Sequence, residues 1–265
     1  MSGGLPFARV STLSPEIPTP TSAKYSHAAG SFATTRWSVV LLAGRNDTER
    51  ARAALAKLCE TYWYPLYVYV RRRGSSPVDA QDLTQGFFEL LLERQMLAKA
   101  NPARGRFRAF ILTAIKNFVA DEWGKTQTQR RGGNVLKISL DWSAAEQRYH
   151  EEPADPDSPD KAFDRRWALA LLESALLALE KEYQAEGAAE LFAALRPTFI
   201  GERAAQPYAE LAAQLGMSES AVRVAVHRLR KRYRALLRAE IAETVALKED
   251  VDEEMRHLFH SLGGA

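Results

Sequence analysis

Residues 207–234 read PYAELAAQLGMSESAVRVAVHRLRKRYR, and this stretch decides the fold. Pro207 opens a helix, where a missing N–H costs nothing. Gly216 stops it, because glycine tolerates the left-handed turn that ends many helices. Ser218 is placed to cap the next helix through its side-chain oxygen. Ala212 and Ala213 are small enough to let the two helices cross closely. Leu211, Leu215, Val222 and Val226 fall at helical spacing and form a shared core. Two helices joined by so tight a turn make a helix-turn-helix.

The charge of the second helix gives that motif a partner. Arg223, Arg228, Arg230, Lys231, Arg232, Arg234 and Arg238 face a single acid, Glu219, between Ser218 and Arg238. A solvated helix ordinarily interleaves acids with bases for i,i+4 pairing. A helix that neutralises phosphates does not. The helix continues past Leu237 to about residue 245.

Upstream, the pattern stays helical. Apolar residues from Ala54 to Val70 recur every 3.6 residues between Asp47 and Arg73, and Pro65 is expected to kink or divide that helix. Ser76-Pro77 opens a helix to about Met96, with Leu83, Phe87, Leu90 and Leu91 inward and Asp79, Asp82, Gln85 and Glu89 outward. Another runs from Arg106 to about Lys125. Residues 126–134 read as a polar, basic loop, and residues 135–157 have little periodicity and read as linker. Ser158-Pro159 repeats the cap-plus-proline signal before a long amphipathic helix. No stretch reads as a sheet, so the expected fold is all-α: two helical domains joined by a linker, the second carrying the helix-turn-helix.

The boundaries follow. Residues 1–32, rich in Ser, Thr, Pro, Ala and Gly, read as a flexible tail. Residues 33–131 form a first domain, 132–157 the linker, 158–245 a second domain and 246–265 a C-terminal extension. The extension is acidic at Glu249, Asp250, Asp252, Glu253 and Glu254, then apolar. Three fates are open to it: a frayed end, packing on a domain, or folding back to restrain the basic helix.

A second basic region spans Lys99 to Arg131. Lys99, Arg104, Arg106, Arg108, Lys116, Lys125, Arg130 and Arg131 stand against Asp121 and Glu122, with Phe107, Phe110, Phe118 and Trp123 interleaved. Cations beside aromatics suit single-stranded nucleic acid, where phosphates pair and bases stack. Phe110 and Phe118 also fit a core, so Trp123 is the better stacking candidate.

Composition excludes other chemistries. The 265 residues carry a net charge of +3, so charge is strong only locally, and one cysteine, Cys59. A lone thiol within a core pattern makes no internal disulfide and no cysteine-rich zinc site. His257 and His260 have no third ligand at useful spacing, and no glycine-rich phosphate loop appears. No catalytic residue, metal or cofactor is expected. No apolar run is long enough for a membrane span or signal peptide.

These segments, in this order, resemble the bacterial RNA polymerase sigma factors of the extracytoplasmic-function (ECF) type. The stretch Tyr62–Arg73 is similar to that family's first core-binding helix. Asp79–Glu89 resembles its clamp-binding motif, with Gly86 where the family has Glu. Arg108–Asp121 matches the helix that takes the −10 element, and Ser218–Arg230 the helix that reads the −35 element. The resemblance implies a non-enzymatic, cytoplasmic protein. Its implied partners are core RNA polymerase, through the β′ clamp and the β flap, and promoter DNA, with an anti-sigma factor as a further possible partner. It assigns −35 contacts to Ser220, Arg223, Val224, His227, Arg228 and Lys231. It assigns −10 contacts to Arg108, Lys116, Asn117, Asp121, Trp123 and Lys125, with Asn117 and Asp121 holding a flipped base. Asp79, Asp82, Gln85, Phe88 and Glu89 are the implied polymerase contacts. The competing reading is a stand-alone helix-turn-helix regulator, which binds duplex DNA by itself.

Overall fold

The computed structural model describes residues 36–37, 40, 49–92, 106–125, 141–151, 158–200 and 207–263. The expected tail at 1–32, the loop at 126–134 and the two ends of the expected linker lie outside these residues. Among the described residues the secondary structure is helical, and the fold is all-α. Ala33–Ala265 cluster as one compact unit.

Helix α1, Glu49–Arg72, contains Pro65 without being divided by it. An interior proline removes one backbone hydrogen bond and costs about 3 kcal/mol. Tyr62, Tyr64, Leu66, Tyr67 and Val70 are buried on both sides of it. Each buried side chain of that size returns about 1.5–3 kcal/mol, so packing overrides the expected break. Gly74, at φ 95°, follows the end of the helix in a left-handed conformation. Helix α2, Pro77–Leu92, starts on a Ser76 hydroxyl that accepts from the Asp79 backbone N–H at 3.2 Å. Helix α3, Phe107–Lys125, follows.

Helix α4, Trp142–Glu151, forms inside the expected linker. Ten residues with weak periodicity give little signal of their own; tertiary contacts supply it. Trp142 packs edge-on to Trp63 at 5.8 Å. The Glu146 carboxylate accepts from Arg71 Nη2 at 2.9 Å and from the Tyr67 hydroxyl. The Arg71 guanidinium lies 4.6 Å over the Tyr149 ring.

The remaining helices are α5 (Pro159–Ala185), α6 (Ala189–Ile200), α7 (Tyr208–Leu215), α8 (Glu219–Ala242) and α9 (Asp250–Leu262). Helix α5 is capped by Ser158, whose hydroxyl accepts from the Lys161 N–H. The last of the five forms within the expected C-terminal extension.

Two cores hold these helices. The smaller belongs to the helix-turn-helix: Leu211, Ala212, Val222, Val226 and Leu229 pack with Leu179, Phe192 and Leu195. The larger crosses the boundary expected at 157/158. It joins Leu55, Tyr62, Phe87, Phe107 and Ile111 to Phe163, Trp167 and Leu171 of α5, Leu237 and Ile241 of α8, and Val251 and Leu258 of α9. Polar stitches run through it. Trp167 Nε1 donates to the Tyr62 hydroxyl at 2.9 Å. The Phe107 N–H donates to the Thr244 carbonyl at 2.8 Å, and the Trp37 N–H to the Glu243 carbonyl at 3.1 Å. Of the three fates open to the extension, the structure takes packing: Val251 and Leu258 are buried.

Candidate nucleic-acid interface

Gly216 ends α7 at φ 63°, ψ 29°, the left-handed conformation its sequence position called for. The Ser218 hydroxyl accepts from the Ala221 N–H at 3.2 Å and starts α8. With α8 anchored through Val222, Val226 and Leu229, its opposite face is fixed outward. Ser220, Arg223, Val224, His227, Arg228 and Lys231 are all exposed on that face. Their spacing of three and four residues makes one stripe. Val224 is 48% exposed, an apolar side chain among cations and polar groups. Arg223 is aimed by two neighbours: it donates to Glu219 and lies 5.3 Å over the Tyr208 ring.

The residues assigned to the −10 element are less alike. Asn117 and Asp121 are exposed one turn apart on α3. Lys116 is half-buried and paired with Asp160. Arg108 is buried. Its Nε donates to Glu254 Oε1 at 2.7 Å, its Nη1 donates to Asp164 Oδ1 at 2.8 Å, and it lies 5.0 Å over the Trp167 ring. Burial pulls this guanidinium toward neutrality, but the Glu254 and Asp164 carboxylates outweigh it and hold its pKa above the usual value. So the structure does not bring Arg108 to the surface with Asn117 and Asp121. The side chains of Trp123 and Lys125 lie outside what is described.

Of the polymerase-contact candidates, Asp79, Asp82 and Gln85 are exposed on α2 and Glu89 is partly so. Gln85 donates to Glu89 at 3.1 Å. Phe88 departs from the expectation: it is 2% exposed and packs in the larger core, edge-on to Phe87. A polar helix face and an apolar one meet at this position, and the ring goes to the apolar side.

Sequence reasoning missed the acidic partners that members of both basic regions find. Arg106 pairs with Glu253, with Asp250 at 3.4 Å and with Glu254 at 3.7 Å. Arg238, on α8, pairs with Asp252. The hydrogen bond from Arg238 holds the Asp252 carboxyl below the usual range, and that from Arg106 does the same for Glu253. The signal was present as five acids within residues 249–254, but nothing local says which cations they meet.

A family model described as ECF sigma factor matches residues 83–239, more than half of the chain. The match begins within α2 and ends within α8, so it takes in the helix-turn-helix and leaves out α1 and α9. No curated protein and no solved structure matches the chain.

Proposed function

Since the chain belongs to the ECF sigma factor family, a family of non-enzymatic transcription initiation factors, we propose that it binds core RNA polymerase and directs it to promoters of one sequence class. The observation that carries this reading is the exposed stripe from Ser220 to Lys231 on a capped, well-anchored α8. A helix of that kind enters the major groove of the −35 element. Arg223 and Arg228 present bidentate donors suited to guanine, worth about 1–3 kcal/mol of discrimination each. Val224 offers an apolar contact for a thymine methyl. Lys231, further along, takes a phosphate.

The −10 element falls to α3. Opening a duplex costs a few kcal/mol per unstacked step, and capture of an extruded base offsets part of that cost. Asn117 and Asp121, one turn apart and exposed, present amide and carboxylate groups to such a base. Arg108, Lys116, Trp123 and Lys125 complete the −10 surface in this reading, with Arg108 and Lys116 first released from their carboxylates. Asp79, Asp82, Gln85 and Glu89 of α2 meet the β′ clamp, and the second half meets the β flap. The first and second halves then act as two domains on the polymerase, in the cytoplasm. An anti-sigma factor is the expected antagonist.

Size-exclusion chromatography of the purified chain with core polymerase, followed by run-off transcription on genomic fragments, tests the reading. A stable complex that initiates at discrete sites is the expected result. No complex, together with tight binding to duplex DNA by the chain alone, would transfer it to the stand-alone regulators.

A further inference from the structure

Two arginines flank the first residue of the proposed −10 helix, Arg106 just before it and Arg108 within its first turn, and both are already spoken for by carboxylates. Arg106 is held by Asp250, Glu253 and Glu254, and Arg108 by Glu254 and Asp164. Glu254 is wholly buried, and Arg108 nearly so. One turn of α9 therefore supplies most of the negative charge on these two cations. Helix α9 is held there by Val251 and Leu258 in the larger core, and by the chain segment before it. That segment includes the Arg106–Val245 bridge and the Phe107 N–H bond to Thr244.

A second, independent observation is geometric. Helix α8 is one continuous element of 24 residues, about 36 Å long at 1.5 Å per residue. Its C-terminal end leads directly to Thr244, against the first residue of α3. Its N-terminal turns carry the base-reading stripe. The −35 and −10 elements lie roughly 25 base pairs apart, about 85 Å of straight duplex at 3.4 Å per step. A molecule whose recognition helix is tied to α3 by a 36 Å rod does not reach both elements. The contacts between the α8–α9 corner and α3 must part before a promoter is engaged.

We propose that α9 is an intramolecular latch. Its carboxylates at Asp250, Glu253 and Glu254 occupy, on Arg106 and Arg108, the places of −10 phosphates, and Asp252 braces it on Arg238. The proposal rests on the promoter-binding reading above and names how that same surface is regulated. The apparent DNA affinity is the affinity of the open form multiplied by the fraction of molecules that are open. Weakening the latch raises that fraction.

The test uses the full-length chain with D250N, D252N and E253Q together. All three stay isosteric, and Asp252 and Glu253 are largely solvent-facing. Removing negative charge anywhere favours DNA, so a matched control carries E173Q, E186Q and E190Q, three exposed carboxylates outside α9. Far-ultraviolet circular dichroism and thermal melts establish that both variants fold. The probe is a fluorescein-labelled 30-nucleotide oligo(dT), titrated by anisotropy between 50 and 300 mM NaCl. At 50 mM the latch variant is expected to bind at least tenfold more tightly than the control. Its log–log salt dependence should steepen by about 0.7 for each cation freed. Equal affinity and equal slope in the two variants overturn the proposal. Co-elution with core polymerase is measured in parallel. A latch variant that outbinds its control while no form of the chain binds polymerase would uphold the latch and remove the initiation reading.

Discussion

Arg108 and Glu254 stand 146 residues apart in the chain and are joined by a 2.7 Å hydrogen bond from Nε to Oε1, with a second from Nη2 to Oε2 at 3.3 Å. The carboxylate is fully enclosed, and the guanidinium spends its remaining fork on Asp164. Two arms of one cation thus tie α3 to α5 and to α9. The pair is also expensive: both charges have left water, and only their mutual geometry offsets the loss.

Breaking that pair from one side should be costly. Replacing Glu254 with alanine leaves Arg108 buried with half its partners, a loss of about 3–5 kcal/mol in comparable sites. Urea unfolding should show it as a lowered midpoint. The double variant R108M/E254L, which removes both charges, should recover much of the loss. A single variant E254A within about 0.5 kcal/mol of the parent, the range of an ordinary surface change, would mean that the pair contributes little.

The Glu146 cluster predicts acid sensitivity in α4. Burial acts to raise this carboxyl, but hydrogen bonds from Tyr67 and Arg71 outweigh it and place its pKa below the usual range. A carboxyl depressed in the folded state stabilises that state above its unfolded pKa, near 4.3. That contribution is lost as pH falls through the folded value. The variant E146Q should lose stability at pH 7 and show a flatter dependence below about pH 4.5. Fluorescence of Trp63 and Trp142, which pack together, reports α4 directly. Parallel acid titrations of parent and variant would contradict this account.

Much of the second half was legible from local chemistry. The Ser218 cap, the left-handed Gly216 and the Leu211–Val222–Val226 core are all properties of residues within a few turns of one another. What was illegible lay in tertiary partners. Helix α4 is too short and too polar to announce itself, and it forms because Trp63, Tyr67 and Arg71 receive it. Pro65 reads as a break until the aromatic packing around it is known. Arg106 and Arg108 count as free cations in a charge sum, because the acids that hold Arg106 lie about 145 residues downstream. The exposure of the α8 stripe and the burial of Phe88 have one physical cause, the placing of the apolar positions on each helix. On α8 the buried positions fix the face without ambiguity, whereas Phe88 sits where the two faces of α2 meet.

Gly86 offers a stabilising substitution. It lies inside α2 with ordinary helical φ, and a Cβ built there meets Phe118 Cζ at 3.6 Å, a normal contact. Alanine should therefore gain up to about 1 kcal/mol from helix propensity, or about 2–4 °C in Tm. A thermal melt checks it; a lowered Tm would show that the α2–α3 approach has no room for the methyl group.

The α8 stripe makes the sharpest functional prediction, because its members should fail in different ways. Arg223 and Arg228 are assigned to bases and Lys231 to phosphate. Loss of a base contact removes discrimination at one position and leaves other positions alone. Loss of a phosphate contact weakens binding to all sequences alike and reduces the salt slope by about 1. Promoter selection from a randomised −35 library, with polymerase bound, separates these outcomes. R228A should relax the preference at a single base pair, at about 1–3 kcal/mol. R223A should do the same at a neighbouring pair, and should disturb position more, since Arg223 is steered by Glu219 and Tyr208. V224S should weaken a preference for thymine without altering the salt slope. K231A should leave the selected sequence unchanged while lowering its affinity. If all four variants lose affinity uniformly and keep the same consensus, the stripe grips the backbone and sequence is read elsewhere. The base-reading role of α8 would then fall, although its place against DNA would not.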